Sequence, residues 1–388
     1  MKSIKKIEED IYYLGGADRR IQLFENVYPV PEGVTYNSYL VKDDKTALLD
    51  TVDCAIADEF FENLAAALEG KPLDYVIVNH MEPDHAATLG RLLAAYPQAV
   101  LVTTQKALVI VEEFFGAISN QVMLVKEGDR LSLGKRTFRF ILAPMVHWPE
   151  VMMTYEEYGQ ILFSADAFGS FGASDACLFA KDEDFSEYRR YYCNIVGKYG
   201  APVSSVLKKA SALPIAMLCP LHGKIWKGNF DKLLEKYVAW SSYAPEDKGV
   251  LIVYASVYGH TKCAAELLAS LLAERGVTVR IYDVSKTHPS YLIAEAFRFS
   301  HIVCASITYN AGIFVNMEHF LSDLKAHGLK NRTCAVIENG GWAPASGKLM
   351  QELLSSVGTV LPQTVTLRGA LKESAPVEAL AEAIAETV

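Results

Sequence analysis

The sequence predicts an α/β protein of two tandem units: a layered sheet with helices outside it, then a doubly wound parallel sheet. Three observations carry this expectation. The 388 residues exceed one ordinary domain, at roughly 100–200 residues each. From Val250 onward, continuous apolar runs alternate with helical periods, the pattern of parallel strands joined by crossover helices. Before Ser242, short strands separated by turns are interspersed with longer apolar strands and helices. The polar stretch Ser242–Gly249 carries Pro245 and no apolar period, so it reads as a linker. The expected domains are therefore residues 1–246 and 247–388.

In the first unit, Ile11–Leu14, Tyr36–Val41 and Ala47–Asp50 read as short strands. Asp58–Leu68 repeats its apolar residues at helical spacing, and Tyr75–Asn79, Thr137–Ala143, Gln160–Ser164 and Ile215–Cys219 are further strands. In the second unit, Val250–Tyr254 is a strand buried on both faces. Helix Cys263–Leu272, strand His301–Ala305, helix Met317–Lys325, strand Cys334–Glu338 and helix Ser346–Val357 follow in alternation.

Composition narrows the function. Hydrophobic residues make up 51% and charged residues 21%, which argues against disorder, collagen-like repeats and a small disulfide scaffold. The net charge of −9 comes without a basic stripe, which argues against nucleic acid and leaves small molecules or proteins as partners. The N-terminal residues carry charges where a signal peptide needs an apolar core, and no apolar run reaches membrane-spanning length. A cytoplasmic protein without a membrane partner is expected. Seven scattered cysteines (Cys54, Cys177, Cys193, Cys219, Cys263, Cys304 and Cys334) form no Cys-x-x-Cys pair. They read as reduced thiols, and they exclude a rubredoxin-like or zinc-ribbon module within these residues.

The strongest local signal is His80-Met-Glu82-Pro-Asp84-His85, on an expected loop directly after strand Tyr75–Asn79. His147, Asp166 and His222 each lie just past another expected strand. Seven ligand-type side chains at four strand ends point to a metal centre, because strand ends are where α/β architectures assemble their sites. One such histidine alone would read as a structural residue. With Glu82, Asp84 and Asp166 the set offers three carboxylates beside its imidazoles and no thiolate, a mixture that suits non-haem iron better than zinc. Asp166 is the best candidate for a carboxylate bridging two cations.

In the second unit the first strand runs into Ser256-Val257-Tyr258-Gly259-His260-Thr261. Small hydroxyl residues and glycine at a strand-to-helix turn leave backbone N–H groups free to ring a phosphate, and the helix N-terminus adds positive charge. The Walker A ending and the Gly-x-Gly-x-x-Gly pattern are both absent. Two further loops, Thr308-Tyr309-Asn310-Ala311-Gly312 and Asn339-Gly340-Gly341-Trp342, follow the next strands. Tyr309 and Trp342 are candidates to stack on a planar ring, and Asn310 with the glycine backbone could bond its polar edge. His260 lies beside the phosphate position, whereas His288, His301, His319 and His327 read as ordinary surface or core residues.

The metal pattern resembles the metallo-β-lactamase fold, a four-layer αββα sandwich, and the second-unit loops resemble the FMN loops of flavodoxin. In hydrolases of the first fold the position of Glu82 is usually histidine. The glutamate-bearing variant, followed by a flavodoxin-like sheet, is similar to the flavodiiron proteins, as are the strings Tyr36-Asn-Ser-Tyr39, Leu49-Asp-Thr51 and His147-Trp-Pro149. The resemblance implies reduction of dioxygen to water, of nitric oxide to nitrous oxide, or both, with FMN and two iron ions per chain. Carried over, one iron takes His80, Glu82 and His147. The other takes Asp84 and His222, with or without His85, and Asp166 bridges them. Electrons then come from an external donor, a rubredoxin-like protein or a reduced deazaflavin or flavin cofactor. A two-fold homodimer or dimer of dimers would bring one chain's FMN beside the partner's irons. The rival readings are a dizinc phosphodiesterase or thioesterase with an accessory flavodoxin-like domain, and a redox or gas sensor without turnover.

Overall fold

The computed structural model describes residues 4–174, 177–181 and 184–388. The chain divides into two compact units: Met1–Tyr192 with Ala201–Leu234, and Cys193–Gly200 with Glu235–Val388.

Among the described residues, the first unit is built on a seven-stranded and a six-stranded sheet. The larger runs in the order Lys5–Glu8, Ile11–Tyr13, Tyr39–Lys42, Thr46–Leu49, Tyr75–Ile77, Val100–Thr103 and Val122–Leu124, antiparallel through its first four strands and parallel thereafter. The smaller runs in the order Arg130–Ser132, Thr137–Leu142, Met152–Glu156, Ile161–Phe163, Met217–Cys219 and Trp226–Lys227, with one parallel pair, Ile161–Phe163 beside Met217–Cys219. The sheets share one core: Ile11, Tyr39, Val41, Leu49, Ile77 and Val102 meet Phe138, Phe140, Met152, Ile161, Phe163 and Met217. Their alternates Leu40, Leu48, Val76 and Leu101 are also fully buried, so the larger sheet is covered on both faces. That is why its strands read as apolar runs rather than alternations. The helices Ala57–Leu68, Leu89–Ala95 and Gln105–Phe115 each bury one apolar side, as an outer layer requires.

The second unit holds five parallel strands in the order Val279–Asp283, Asp247–Ala255, Phe299–Tyr309, Arg332–Asn339 and Gly358–Leu367. This is the 2-1-3-4-5 order of doubly wound sheets, whose switch point lies between the first and third strands in sequence. Val250, Ile252, Val303, Ala335 and Ile337 pack on one side against Ala264, Leu268, Leu272, Leu380 and Ile384. Leu251, Val253, Ile302, Cys304 and Val336, which alternate with them, are equally buried.

Three local expectations are corrected. Tyr36–Val41 is not one strand: Val34–Tyr36 pairs with Gly16–Asp18 in a small sheet, and Tyr39–Lys42 joins the large one. The break falls at Asn37, whose N–H is taken by Leu221 O rather than by a ladder partner. The stretch Ser242–Gly249 is mostly ordered structure, since a strand already begins at Asp247 and buried Glu246 accepts from Trp240 Nε1 at 2.6 Å. The motif around Glu82 is only partly a loop. Pro83–Ala86 forms a single helical turn, for which proline at the first position has the right φ.

Candidate metal centre and flavin pocket

The helical turn at Pro83 decides how the six-residue motif spends its ligands. His80 and Glu82 stand before it and Asp84 and His85 within it, so the two pairs project in different directions. The result is two sets, His80, Glu82, His147 and Asp166, and Asp84, His85 and His222. In the first, His80 Nε2 lies 3.3 Å from Glu82 Oε2, and His147 Nε2 lies 2.9 Å from the same oxygen. Both nitrogens are 3.2 Å from Asp166 Oδ2. In the second, His85 Nε2 and His222 Nε2 are 3.0 Å apart, and Asp84 Oδ2 lies 3.4 and 3.0 Å from them. Asp166 Oδ1 faces this set, 3.2 Å from His85 and 3.8 Å from His222. One carboxylate thus offers one oxygen to each set. All seven side chains singled out in the sequence converge here, and His85 turns its Nε2 to the second set.

The donor atoms fit cations. Two ligand atoms ~2.1 Å from a shared ion and at right angles lie about 3 Å apart, close to the separations of 2.9–3.4 Å above. His80 Nε2 and both carboxylate oxygens of Asp84 and Asp166 are buried and make no hydrogen bond. Such atoms are costly unless something charged completes them. Two of the four far ring nitrogens are held from behind: His80 Nδ1 lies 2.8 Å from Glu150 Oε1, and His222 Nδ1 donates to Thr35 O at 2.8 Å. This selects the tautomer with its lone pair on Nε2, facing the site. Glu150 was not singled out in the sequence, although it directly follows His147-Trp-Pro149.

In the metal-free protein, burial disfavours charge on His80, but Asp166, Glu150 and Glu82 outweigh it and hold its pKa well above the ordinary value. His147 is likewise opposed by burial and raised by Asp166 and Glu82, to about 9. Burial would raise Asp166, yet the imidazoles around it pull its pKa well below the usual range. Glu25 is a second residue missed in the sequence. It occupies the turn Phe24–Val27 with φ of 50°, and loss of water together with the charge of Glu82 raises its carboxyl to about 8. Around His222 the rings of Phe24, Tyr191 and Tyr36 lie 5.2, 5.5 and 5.8 Å away, centroid to centroid.

In the second unit, the loops after three parallel strands enclose a cavity of about 570 Å³. Ser256, Val257, Tyr258, His260, Thr261, Thr308, Tyr309, Asn310, Ala311, Asn339, Gly340, Gly341 and Trp342 line it. Gly259 and Gly312 do not. Gly259 shapes the turn from behind, capping helix His260–Glu274 at φ 93°, a conformation that favours glycine. Gly312 closes a hairpin against Tyr309. Gly369, missed in the sequence, also lines the cavity and is clipped to Asn339 by two bonds, Nδ2 to Gly369 O at 2.9 Å and Gly369 N to Oδ1 at 3.0 Å. Tyr258 and Trp342 are 90% and 91% exposed at its rim, leaving their faces free to cover a planar ring.

Residues 34–223 match the family described as ODP family beta lactamase, and residues 252–386 match flavodoxin. An uncharacterized protein of Methanocaldococcus jannaschii is 32% identical, covering 95% of this chain and 94% of that one. An anaerobic nitric oxide reductase flavorubredoxin of Aeromonas hydrophila is 30% identical over 362 residues, covering 91% of this chain and 73% of that one. The chain belongs to the flavodiiron family. Among solved structures, this flavodiiron protein superposes on the rubredoxin oxygen:oxidoreductase of Desulfovibrio gigas with a TM-score of 0.93 at 28% identity, covering 99% of this chain and 98% of that one. A flavoprotein of Thermotoga maritima gives 0.91 at 27% identity, with the same coverage. The flavodiiron protein is thus an oxidoreductase with a metallo-β-lactamase-like domain ahead of a flavodoxin domain, and the cofactors of this family are FMN and a pair of irons. Among the described residues no helix is long and apolar enough to cross a membrane.

Proposed function

We propose that this oxidoreductase reduces dioxygen to water, nitric oxide to nitrous oxide, or both, at two irons replenished by FMN. The observation that supports it is the donor set: four imidazoles, three carboxylates and no thiolate, parted by the two oxygens of Asp166. Every proposed iron ligand lies within residues 1–246 and every proposed FMN contact within 247–388. When bound, the ferrous ions each supply one electron and reduced FMN restores them. His80, Glu82 and His147 would hold the first iron and Asp84, His85 and His222 the second, with Asp166 offering one carboxylate oxygen to each set. Three carboxylates close together offset the charge of two dications. Glu150 and the carbonyl of Thr35 keep the lone pairs of His80 and His222 directed inward. The Ser256–Thr261 turn would hold the phosphate of FMN, and Tyr309 and Trp342, which line the same cavity, would flank its ring.

Electrons arrive from a separate donor, a rubredoxin-like protein or a reduced deazaflavin or flavin. The functional unit is a head-to-tail homodimer or a dimer of dimers, with transfer between chains, closed two-fold symmetry being the commonest arrangement. The test is anaerobic turnover of the iron- and FMN-loaded protein with each gas, alongside metal analysis. Consumption of either gas, driven by a reduced donor, is expected. A zinc-loaded protein that hydrolyses esters and consumes neither gas would overturn the reading. For the dimer, a Gly259→Val chain is mixed with a chain carrying His80→Ala and Asp166→Ala. Activity should return to about half that of the parent dimer, one of two working pairs being rebuilt. Silence from a mixed dimer that keeps its remaining cofactors excludes inter-chain transfer.

A further inference from the structure

The string Tyr36-Asn-Ser-Tyr39 resembles the family pattern but contributes no atom to either ligand set. Its side chains are buried, and those of Asn37 and Tyr39 reach the loop that carries His222. Asn37 donates from Nδ2 to Pro220 O at 2.8 Å and to Gly223 O at 3.0 Å, and its backbone N–H donates to Leu221 O at 2.8 Å. Thr35 receives two more polar groups of that loop, His222 Nδ1 on its carbonyl and Gly223 N on Oγ1 at 2.9 Å. Tyr39 adds a bond from its hydroxyl to Pro220 O at 2.7 Å. The loop has little freedom of its own to move aside. Gly223 is held at φ 74°, and a Cβ there would lie 2.2 Å from Ser170 Oγ.

The same short segment is tied to the opposite ligand set. Ser38 Oγ donates to Asp50 O at 2.8 Å. The carboxylate of Asp50 receives the N–H groups of Asn79 and His80 at 2.7 and 3.3 Å, and Asn79 Nδ2 at 2.7 Å. A continuous run of hydrogen bonds therefore leads from the His222 loop through Asn37 and Ser38 to the residue that opens the first set. Only the His222 end depends on side-chain donors from Asn37. The Asp50 end is fastened by Ser38, by Asn79 Nδ2 and by backbone groups.

We infer that Asn37, with Thr35, is a positioning residue that aims His222, so that it sets the affinity of the second metal position while leaving the first almost untouched. This rests on the proposed assignment of His222 to that position. Orientation by outer partners is worth tenfold to a hundredfold in metal affinity. Asn37→Leu removes both side-chain donors at similar volume. Asn37→Asp keeps the shape but turns an acceptor toward two carbonyls.

The test is anaerobic titration of the metal-depleted, FMN-containing full chain with cobalt(II), followed by its visible ligand-field bands and by metal analysis after dialysis. For both Asn37 variants the first equivalent should bind as in the parent, and the second should weaken by about tenfold to a hundredfold. Thr35→Val should weaken it as well, and Thr35→Ser, which keeps the hydroxyl, should restore it. Should Asn37→Leu fail to fold, Asn37→Asp and the Thr35 pair carry the same comparison. Unchanged binding of both equivalents, or equal weakening of both, overturns the inference. His222→Ala separates the two ways of failing. If it also keeps both cobalt ions, the ligand assignment is wrong. If it loses the second while the Asn37 variants keep it, only the positioning role fails.

Discussion

Replacing Glu150 by alanine should weaken both the first metal position and the metal-free fold. Glu150 is 1% exposed, and its Oε1 accepts from Met81 N at 3.0 Å while lying 2.8 Å from His80 Nδ1. Alanine leaves both buried donors without their acceptor. Each buried donor left unpaired costs about 1–3 kcal/mol, so the pair costs ~2–6 kcal/mol. With no acceptor behind it, the His80 ring is free to turn and is a weaker base, which should lower affinity at the first position by ten- to a hundredfold. Glu150→Gln retains an oxygen of similar reach without its charge, and its losses should be smaller on both counts. Denaturant unfolding of the metal-free protein and cobalt(II) titration of the loaded FMN form measure the two effects separately. If Glu150→Ala binds the first equivalent with parental affinity, the ring of His80 is held by something else and the reasoning fails.

Glu82→His should move the site toward zinc and abolish gas reduction with FMN content unchanged, because it replaces a carboxylate 2.9 Å from His147 Nε2 by a third imidazole in that set; a variant that keeps iron and turnover shows that Glu82 is no ligand. Thr261→Ala should weaken FMN binding roughly tenfold or more, the loss of one hydrogen bond to a charged group at ~1.5–3 kcal/mol. Gly259→Val should weaken it further: a Cβ there meets no other atom within 4 Å, so the penalty lies in the φ of 93°, which a β-branched residue adopts only with strain. FMN content after gel filtration reads both. His301 is nearly buried, and burial lowers its pKa. Its neutral form is favoured by folding, so this contribution is present above the unfolded pKa of about 6.5 and is lost as pH falls below it. His301→Gln should therefore flatten the fall in stability between about pH 6.5 and 5, seen in denaturant midpoints, and an unaltered slope would refute the assignment.

Much of this protein was legible in order along the chain. Parallel strands buried on both faces leave continuous apolar runs, so Val250–Tyr254 and Cys334–Glu338 were readable without knowing their neighbours. Ligands placed after strands were readable for the same reason, since the strand ends are local and the residue types are few. Contacts between distant segments were not. Thr35 bonds to His222, and Asn37 to the loop around it, across more than 180 positions of sequence, and a strand pattern over Tyr36–Val41 concealed the break that makes them available. Glu150 is adjacent to the motif, yet its acceptor faces His80, 70 residues earlier. Likewise the division of seven ligands into two sets depends on one helical turn at Pro83 and on how Asp166 is rotated between them. Side-chain type and spacing determine which atoms can bind a metal. Only packing of the two sheets against each other sets the ångström-scale distances that decide which of them share one.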